Sequence, residues 1–148
     1  MHIIQATRRH EICAGHRVVG QGGHCERLHG HAYVVEFTVQ GHEGRTLLDT
    51  VGRVLDFGDI RTRLCEWLEA NWDHRFLIWE SDPLMPGLQE LTRESLCVVQ
   101  FNPTAENMAQ YLLTEVGPNQ LAGTGVQLVE VTVHETGKCR ATATASQW

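Results

Sequence analysis

The chain has 148 residues, 42% of them hydrophobic, nine histidines, and a formal net charge of −6 from 12 Lys+Arg against 18 Asp+Glu. This composition fits one ordinary globular domain and excludes a collagen-like, low-complexity or largely disordered chain. A chain of this size buries roughly 68–70% of the surface its unfolded form exposes, enough for a core without metal or disulfide staples. The acidic balance, with Arg8-Arg9-His10 as the longest basic run, speaks against a nucleic-acid partner.

The start, Met1-His2-Ile3-Ile4-Gln5, lacks the charged and apolar regions of a signal peptide, so a cytoplasmic location is expected. No stretch approaches the run of about 18 apolar residues that a membrane span needs, and no membrane partner is expected. Residues 3–15 mix Ile, Thr and Cys with charge and show no helical stripe, predicting a strand that runs into His16. Val18-Val19-Gly20-Gln21-Gly22-Gly23-His24 reads as a glycine-rich loop delivering the chain to Cys25. Over 31–40, Tyr33, Val35, Phe37 and Val39 alternate with Ala32, Val34, Glu36 and Thr38, which predicts a half-buried strand. Gly41-His42-Glu43-Gly44 reads as a hairpin turn, and 46–57, broken by Gly52, as an extended return.

Asp56 and Asp59 are candidate caps for a helix over 60–72, with Ile60, Leu64, Trp67 and Leu68 at helical spacing. The stretch 80–100, with Pro83, Pro86 and Gly87, reads as an irregular surface excursion and a candidate lid. Asn102-Pro103-Thr104-Ala105-Glu106-Asn107 opens a second helix: Thr104 caps it, Glu106 sits in its positive first turn, and Met108, Ala109, Leu112 and Val116 form the stripe. Gly117-Pro118 reads as its stop. Residues 127–135 alternate again, Thr136-Gly137-Lys138 turns the chain, and 139–146 close a hairpin. The order strand, strand, helix, helix, strand, strand gives a single α+β domain over 1–148, and the end strands leave edges that oligomerisation would cover.

Five cysteines, Cys13, Cys25, Cys65, Cys97 and Cys139, form no Cys-x-x-Cys pair and no disulfide framework. In His29-Gly30-His31 two imidazoles share one side of a strand, and His16 joins them if the first strand pairs antiparallel with the second. Three neutral imidazoles would leave a fourth position on Zn²⁺ open; the alternative is a pair of hydrogen-bonded rim histidines. Cys25, near Arg27 and a possible cation, is a candidate base, a fourth ligand or an inert thiol. In Asp73-His74 a carboxylate can fix an imidazole tautomer, or Asp73 can be a solvated helix-end charge. Glu135 ends the apolar row Val129, Val131, Val133, where a carboxylate matches the paired N–H donors of a pterin or guanine edge or turns to solvent. His2, His10, His24, His42 and His134 carry no such support.

Ala14-Gly15-His16, Cys25-x-x-x-His29-Gly30-His31, Asp56-Phe57, Asp73-His74, Pro103-Thr104-Ala105-Glu106-Asn107 and Glu135-Thr136 together make the chain resemble the 6-pyruvoyl-tetrahydropterin synthase family over nearly its whole length. The resemblance implies a tunnelling fold (T-fold): an antiparallel four-stranded sheet with two helices that trimerises into a β-barrel and pairs into a hexamer, with active sites between subunits. It implies Zn²⁺ on His16, His29 and His31, a catalytic Cys25 with the pair Asp73 and His74, and a pterin-anchoring Glu135, with Thr104 and Glu106 as further substrate contacts. The three residues between Cys25 and His29 match the carboxy-forming branch of queuosine and 7-deazapurine biosynthesis, where pyruvoyl-forming members have five. The implied reaction takes 7,8-dihydroneopterin triphosphate to a 6-carboxy-tetrahydropterin, releasing acetaldehyde and triphosphate. Pyruvoyl formation, and a non-catalytic zinc or pterin-binding module closed by Cys25, are the alternatives. No Gly-x-Gly-x-x-Gly fingerprint is present, so no nicotinamide is expected; Arg8, Arg9 and Arg17 are candidates to meet the triphosphate. The length of 80–100 and the thiol at Cys13 depart from the family pattern.

Overall fold

A computed structural model describes residues 2–42 and 48–146. The first two strands, β1 (Ala6–His16) and β2 (His29–Gly41), pair antiparallel along the whole of β1, from Ala6 opposite Val39 to His16 opposite His29. β5 (Val126–His134) pairs antiparallel with β2, and β6 (Arg140–Thr144) with β5. These are the four antiparallel strands expected. Two short parallel strands, β3 (Phe76–Trp79) and β4 (Leu96–Val99), extend the sheet beyond β1, giving the order β4-β3-β1-β2-β5-β6.

One face of the sheet carries the core. Alternation puts Ile12, Ala14, Tyr33, Val35, Phe37, Val131 and Val133 on it, all buried. Two long helices cover this face. The first, α1, runs through Phe57–Ile60, Arg61–Cys65 and Glu66–Asn71 with a π-type turn at its centre, and buries Ile60, Leu64, Cys65 and Leu68. It begins earlier than the apolar spacing indicates because the Asp56 carboxylate accepts from the Gly58 N–H at 2.7 Å. The helix over the strands that follow, α3, runs through Ala105–Tyr111, Leu112–Val116 and Gly117–Gln120, burying the expected stripe of Met108, Ala109, Leu112 and Val116. Burial of each such side chain stabilises by about 1.5–3 kcal/mol. Gly117-Pro118 does not stop this helix: the wider π-type turn over Leu112–Val116 precedes it, and Pro118, which lacks an N–H, falls where the chain restarts a tighter turn.

The stretch 80–100 is not an irregular lid. It holds helix α2 (Met85–Thr92) and then β4, and so joins β3 to its parallel neighbour. Pro86 sits in the first turn of α2, where a missing N–H costs nothing. The extended return over 46–57 is also absent from its described part. There Asp49 Oδ1 accepts from the Val51 and Arg53 N–H groups at 2.9 Å and Gly52 adopts φ 95°, so the chain turns instead of pairing. Glu43, Gly44 and Thr46 of the expected hairpin lie outside the described residues.

Candidate metal centre and active site

The β1–β2 pairing brings His16 opposite His29 and Ala14 opposite His31, all on the core face at one end of the sheet. His16 Nε2 lies 3.0 Å from His29 Nε2, and one nitrogen from each of the three imidazoles falls within 4.8 Å of the others. Backbone carbonyls orient two of the rings: His16 Nδ1 donates to Pro103 O at 2.7 Å and His29 Nδ1 to Arg27 O at 2.7 Å. Both rings therefore hold their proton on Nδ1 and turn Nε2 toward the cluster, the arrangement that outer hydrogen bonds give metal-bound histidines.

Burial lowers the pKa of His16, which is 1% exposed; the Pro103 hydrogen bond and the Glu135 charge oppose the shift without reversing it. Burial also lowers His31, again against Glu135. Neutral imidazole is the ligating form, so both shifts suit a cation site. His31 Nε2 is buried without a hydrogen-bond partner, an orphaned atom that a bound ion would satisfy. Three imidazoles on adjacent strands are a donor set suited to zinc-type ions, and the residues present fit such a group.

Glu135 reaches the same cluster. Its Oε1 stands 3.3 Å from His16 Nε2 and 3.4 Å from His31 Nε2. The strand parity placed this carboxylate on the core face; its approach to the histidines was not readable from spacing. Tyr33 packs edge-on against His16 and His31 at centroid distances of 5.8 and 5.4 Å, and burial raises its phenol pKa, so it remains protonated.

Asp73 and His74 form a second group. Asp73 Oδ2 faces His74 Nδ1 at 3.0 Å, and Oδ1 accepts from the Cys13 N–H at 2.9 Å. Burial pushes the Asp73 carboxyl up, but the Cys13 N–H and His74 outweigh it and hold the pKa below the ordinary value. His74 adopts φ 58°, the left-handed region that a side chain occupies at a cost of about 1–3 kcal/mol. Its ring is 81% exposed. A cleft of about 500 Å³, lined among others by Cys13, Gly15, Gly30, His31, His74 and Phe76, connects this pair with the edge of the histidine cluster. Two glycines shape its wall: a Cβ on Gly15 would lie 2.5 Å from Phe76 Cδ2, and one on Gly30 would lie 2.8 Å from Ala14 O.

Cys25 stands on a helical turn, Gly23–Glu26, in the β1–β2 connection, and is half-buried. Its carbonyl accepts from the Val18 N–H at 2.9 Å, and Glu26 Oε1 from the Gly20 N–H at 2.6 Å. Asn102 braces the loop through a double bond to the Val19 backbone, at 3.0 and 2.9 Å. Among the described residues, Cys25 is not part of the histidine cluster, and no hydrogen bond or ion pair joins it to Asp73 or His74. Thr104 is occupied as the cap of α3, accepting from the Asn107 N–H at 3.1 Å. Glu106 is exposed on the next residue but one and faces a groove of about 600 Å³ beside β6. Arg17 is not free to meet a triphosphate, because its guanidinium is paired with Asp82.

A family profile described as 6-pyruvoyl tetrahydropterin synthase matches residues 5–146. The chain is 34% identical over 138 residues to a Rickettsia felis protein named 6-carboxy-5,6,7,8-tetrahydropterin synthase, covering 93% of this chain and 97% of that one. A protein of the same name from Aquifex aeolicus is 33% identical, with 93% and 94% covered. Among solved structures, an uncharacterized protein from Wolinella succinogenes superposes with a TM-score of 0.85 at 26% identity, covering 99% of this chain and all of that one (100%). The Caenorhabditis elegans 6-pyruvoyl tetrahydropterin synthase shares the fold, with a TM-score of 0.69 at 23% identity over 99% of this chain and 98% of that one. With the profile covering nearly the whole chain and relatives of this identity along most of its length, the protein belongs to the 6-pyruvoyl tetrahydropterin synthase family.

Proposed function

We propose that the protein is a zinc-dependent 6-carboxy-5,6,7,8-tetrahydropterin synthase, converting 7,8-dihydroneopterin triphosphate with release of triphosphate and acetaldehyde. The observation that carries the reading is the convergence of three imidazoles, two of them locked by Pro103 and Arg27, at the mouth of a cleft that also holds Asp73 and His74. The names of the relatives and the three-residue spacing from Cys25 to His29 favour the carboxy-forming branch.

His16, His29 and His31 would hold Zn²⁺, which when bound supplies Lewis-acid polarisation of side-chain hydroxyls. Cys25, as thiolate, takes a proton from the substrate side chain. Asp73 Oδ2 holds the N–H of His74 at Nδ1, leaving Nε2 to accept a proton and pass it on. Glu135 offers two oxygens to the pterin's paired N–H donors, and Thr104 and Glu106 line the substrate. Hydrogens from the side chain reduce the ring, so no external reductant is needed. The alternative of a metal closed off by Cys25 finds no support, since that thiol is outside the cluster.

The exposed ring of His74, apart from Cys25 in its own chain, supports a site shared between copies. So do the sheet edges: β1 pairs with β3 only at Gly15 and His16, leaving the rest of that edge open among the described residues, and β6 is the opposite edge. The reading is a hexamer of two trimeric barrels acting in the cytoplasm in queuosine-type biosynthesis; no helix among the described residues is long and apolar enough to cross a membrane. Incubation of the purified, zinc-loaded protein with dihydroneopterin triphosphate tests it: 6-carboxy-tetrahydropterin and acetaldehyde are expected, and unchanged substrate contradicts it.

A further inference from the structure

The donors at the histidine cluster meet acceptor to acceptor. Carbonyl oxygens only accept, so the Pro103 and Arg27 contacts require N–H at Nδ1 of His16 and His29; in the neutral rings both Nε2 lone pairs then face each other at 3.0 Å. Glu135 Oε1, a further acceptor, stands 3.3 Å from His16 Nε2 and 3.4 Å from His31 Nε2. His31 Nε2 makes no hydrogen bond to it or to any other group. Such a convergence is repulsive unless a cation lies among the donors. A proton relieves one pair of atoms; a single divalent ion relieves them all. Donors placed about 2.0–2.2 Å from a tetrahedral zinc-type centre lie about 3.3 Å from one another, which is the separation the carboxylate keeps from both imidazoles.

We propose that Glu135 is a fourth protein donor to the metal in the substrate-free protein, and that binding of a pterin draws its carboxylate away. The inference rests on the proposed function for the three-histidine site and deepens it. Four protein donors close the resting site, and a catalytic metal needs an open position. The pterin's paired N–H donors compete for the same carboxylate, so substrate recognition and opening of the metal become one event. Glu135 follows the last residue of β5, and the Glu135 and Thr136 N–H groups both bond to Cys139 O, at 3.0 and 3.4 Å, in the turn toward β6. Its backbone is therefore fixed while its three side-chain torsions remain free for the exchange.

The test uses the full-length protein loaded with Co²⁺, whose visible absorption reports the donor set, together with Zn²⁺ affinity from competition with a chromophoric chelator. Glu135→Gln and Glu135→Ala should weaken Zn²⁺ binding by about tenfold or more and change the Co²⁺ spectrum. Saturating the wild type with a non-reactive oxidised pterin should change that spectrum too. Unchanged affinity and spectrum in folded Glu135 variants would overturn the proposal, as would a wild-type spectrum indifferent to the pterin. His29→Ala separates the two levels. Loss of metal there with full retention in the Glu135 variants refutes the fourth donor alone, whereas undiminished metal binding in His29→Ala refutes the three-histidine site itself.

Discussion

Arg17 and Asp82 form a bidentate pair in which Nε and Nη2 donate to the two carboxylate oxygens at 2.9 and 3.0 Å, while Nη1 donates to Glu26 O at 2.9 Å. One guanidinium thus ties together the residue after His16, the residue after Cys25 and the segment leading into α2. Asp82 is fully buried, and burial pushes its carboxyl up; Arg17 and the Leu84 N–H outweigh that and hold it below the ordinary range.

Breaking this pair from one side leaves a buried charge without its partner. Asp82→Ala should destabilise by about 3–5 kcal/mol, read from chemical denaturation. Since the folded pKa is depressed, the stabilisation is present above the unfolded carboxyl value and is lost as pH falls through the folded one. The wild type should therefore lose stability below about pH 4 more steeply than Asp82→Asn. Equal acid sensitivity in the two proteins would remove Asp82 from that role.

Cys25 lies outside the histidine cluster, so Cys25→Ala should bind metal and pterin with wild-type affinity. Its turnover should fall by about 10³-fold, the scale of a lost proton-transfer group. Metal analysis, pterin titration and single-turnover rates check the three parts separately, and wild-type turnover rules out the assignment.

If sites are built from two copies, two inactive variants complement each other. Unfolding and reassembling Cys25→Ala with His74→Ala in equal amounts should restore about a quarter of wild-type sites, because each needs one intact residue from either chain. A mixture as inactive as its components points to a site contained in one chain.

The close approach at the cluster leaves no room for a Cβ on Gly30, 2.8 Å from a backbone oxygen. Gly30→Ala should force β1 and β2 apart between the two ligand histidines, lowering metal stoichiometry as well as thermal stability. Gly87→Ala, where nothing lies within 4 Å, is the control.

Much of this was legible in residue order. The period-two pattern of β2 and the antiparallel pairing of β1 sufficed to gather His16, His29 and His31, and the Thr104 cap and its apolar stripe fixed the start of α3. What escaped the sequence depends on partners that residue types do not announce. The carbonyls of Pro103 and Arg27 that orient the ligand rings are backbone atoms, available at every position. Pro83, Pro86 and Gly87 read as breakers, although Pro86 serves as a helix start and the following residues add a strand through short parallel pairing. Arg17 looked like a phosphate contact because its buried partner lies 65 positions away. The direction taken by Glu135 depends on the turn after β5, beyond what strand parity determines.

The central claim is the reaction itself. Purified protein given dihydroneopterin triphosphate should yield 6-carboxy-tetrahydropterin, identified by mass, with acetaldehyde and triphosphate each released in equal amount. A 6-pyruvoyl product formed without acetaldehyde, or substrate recovered intact, would contradict the account.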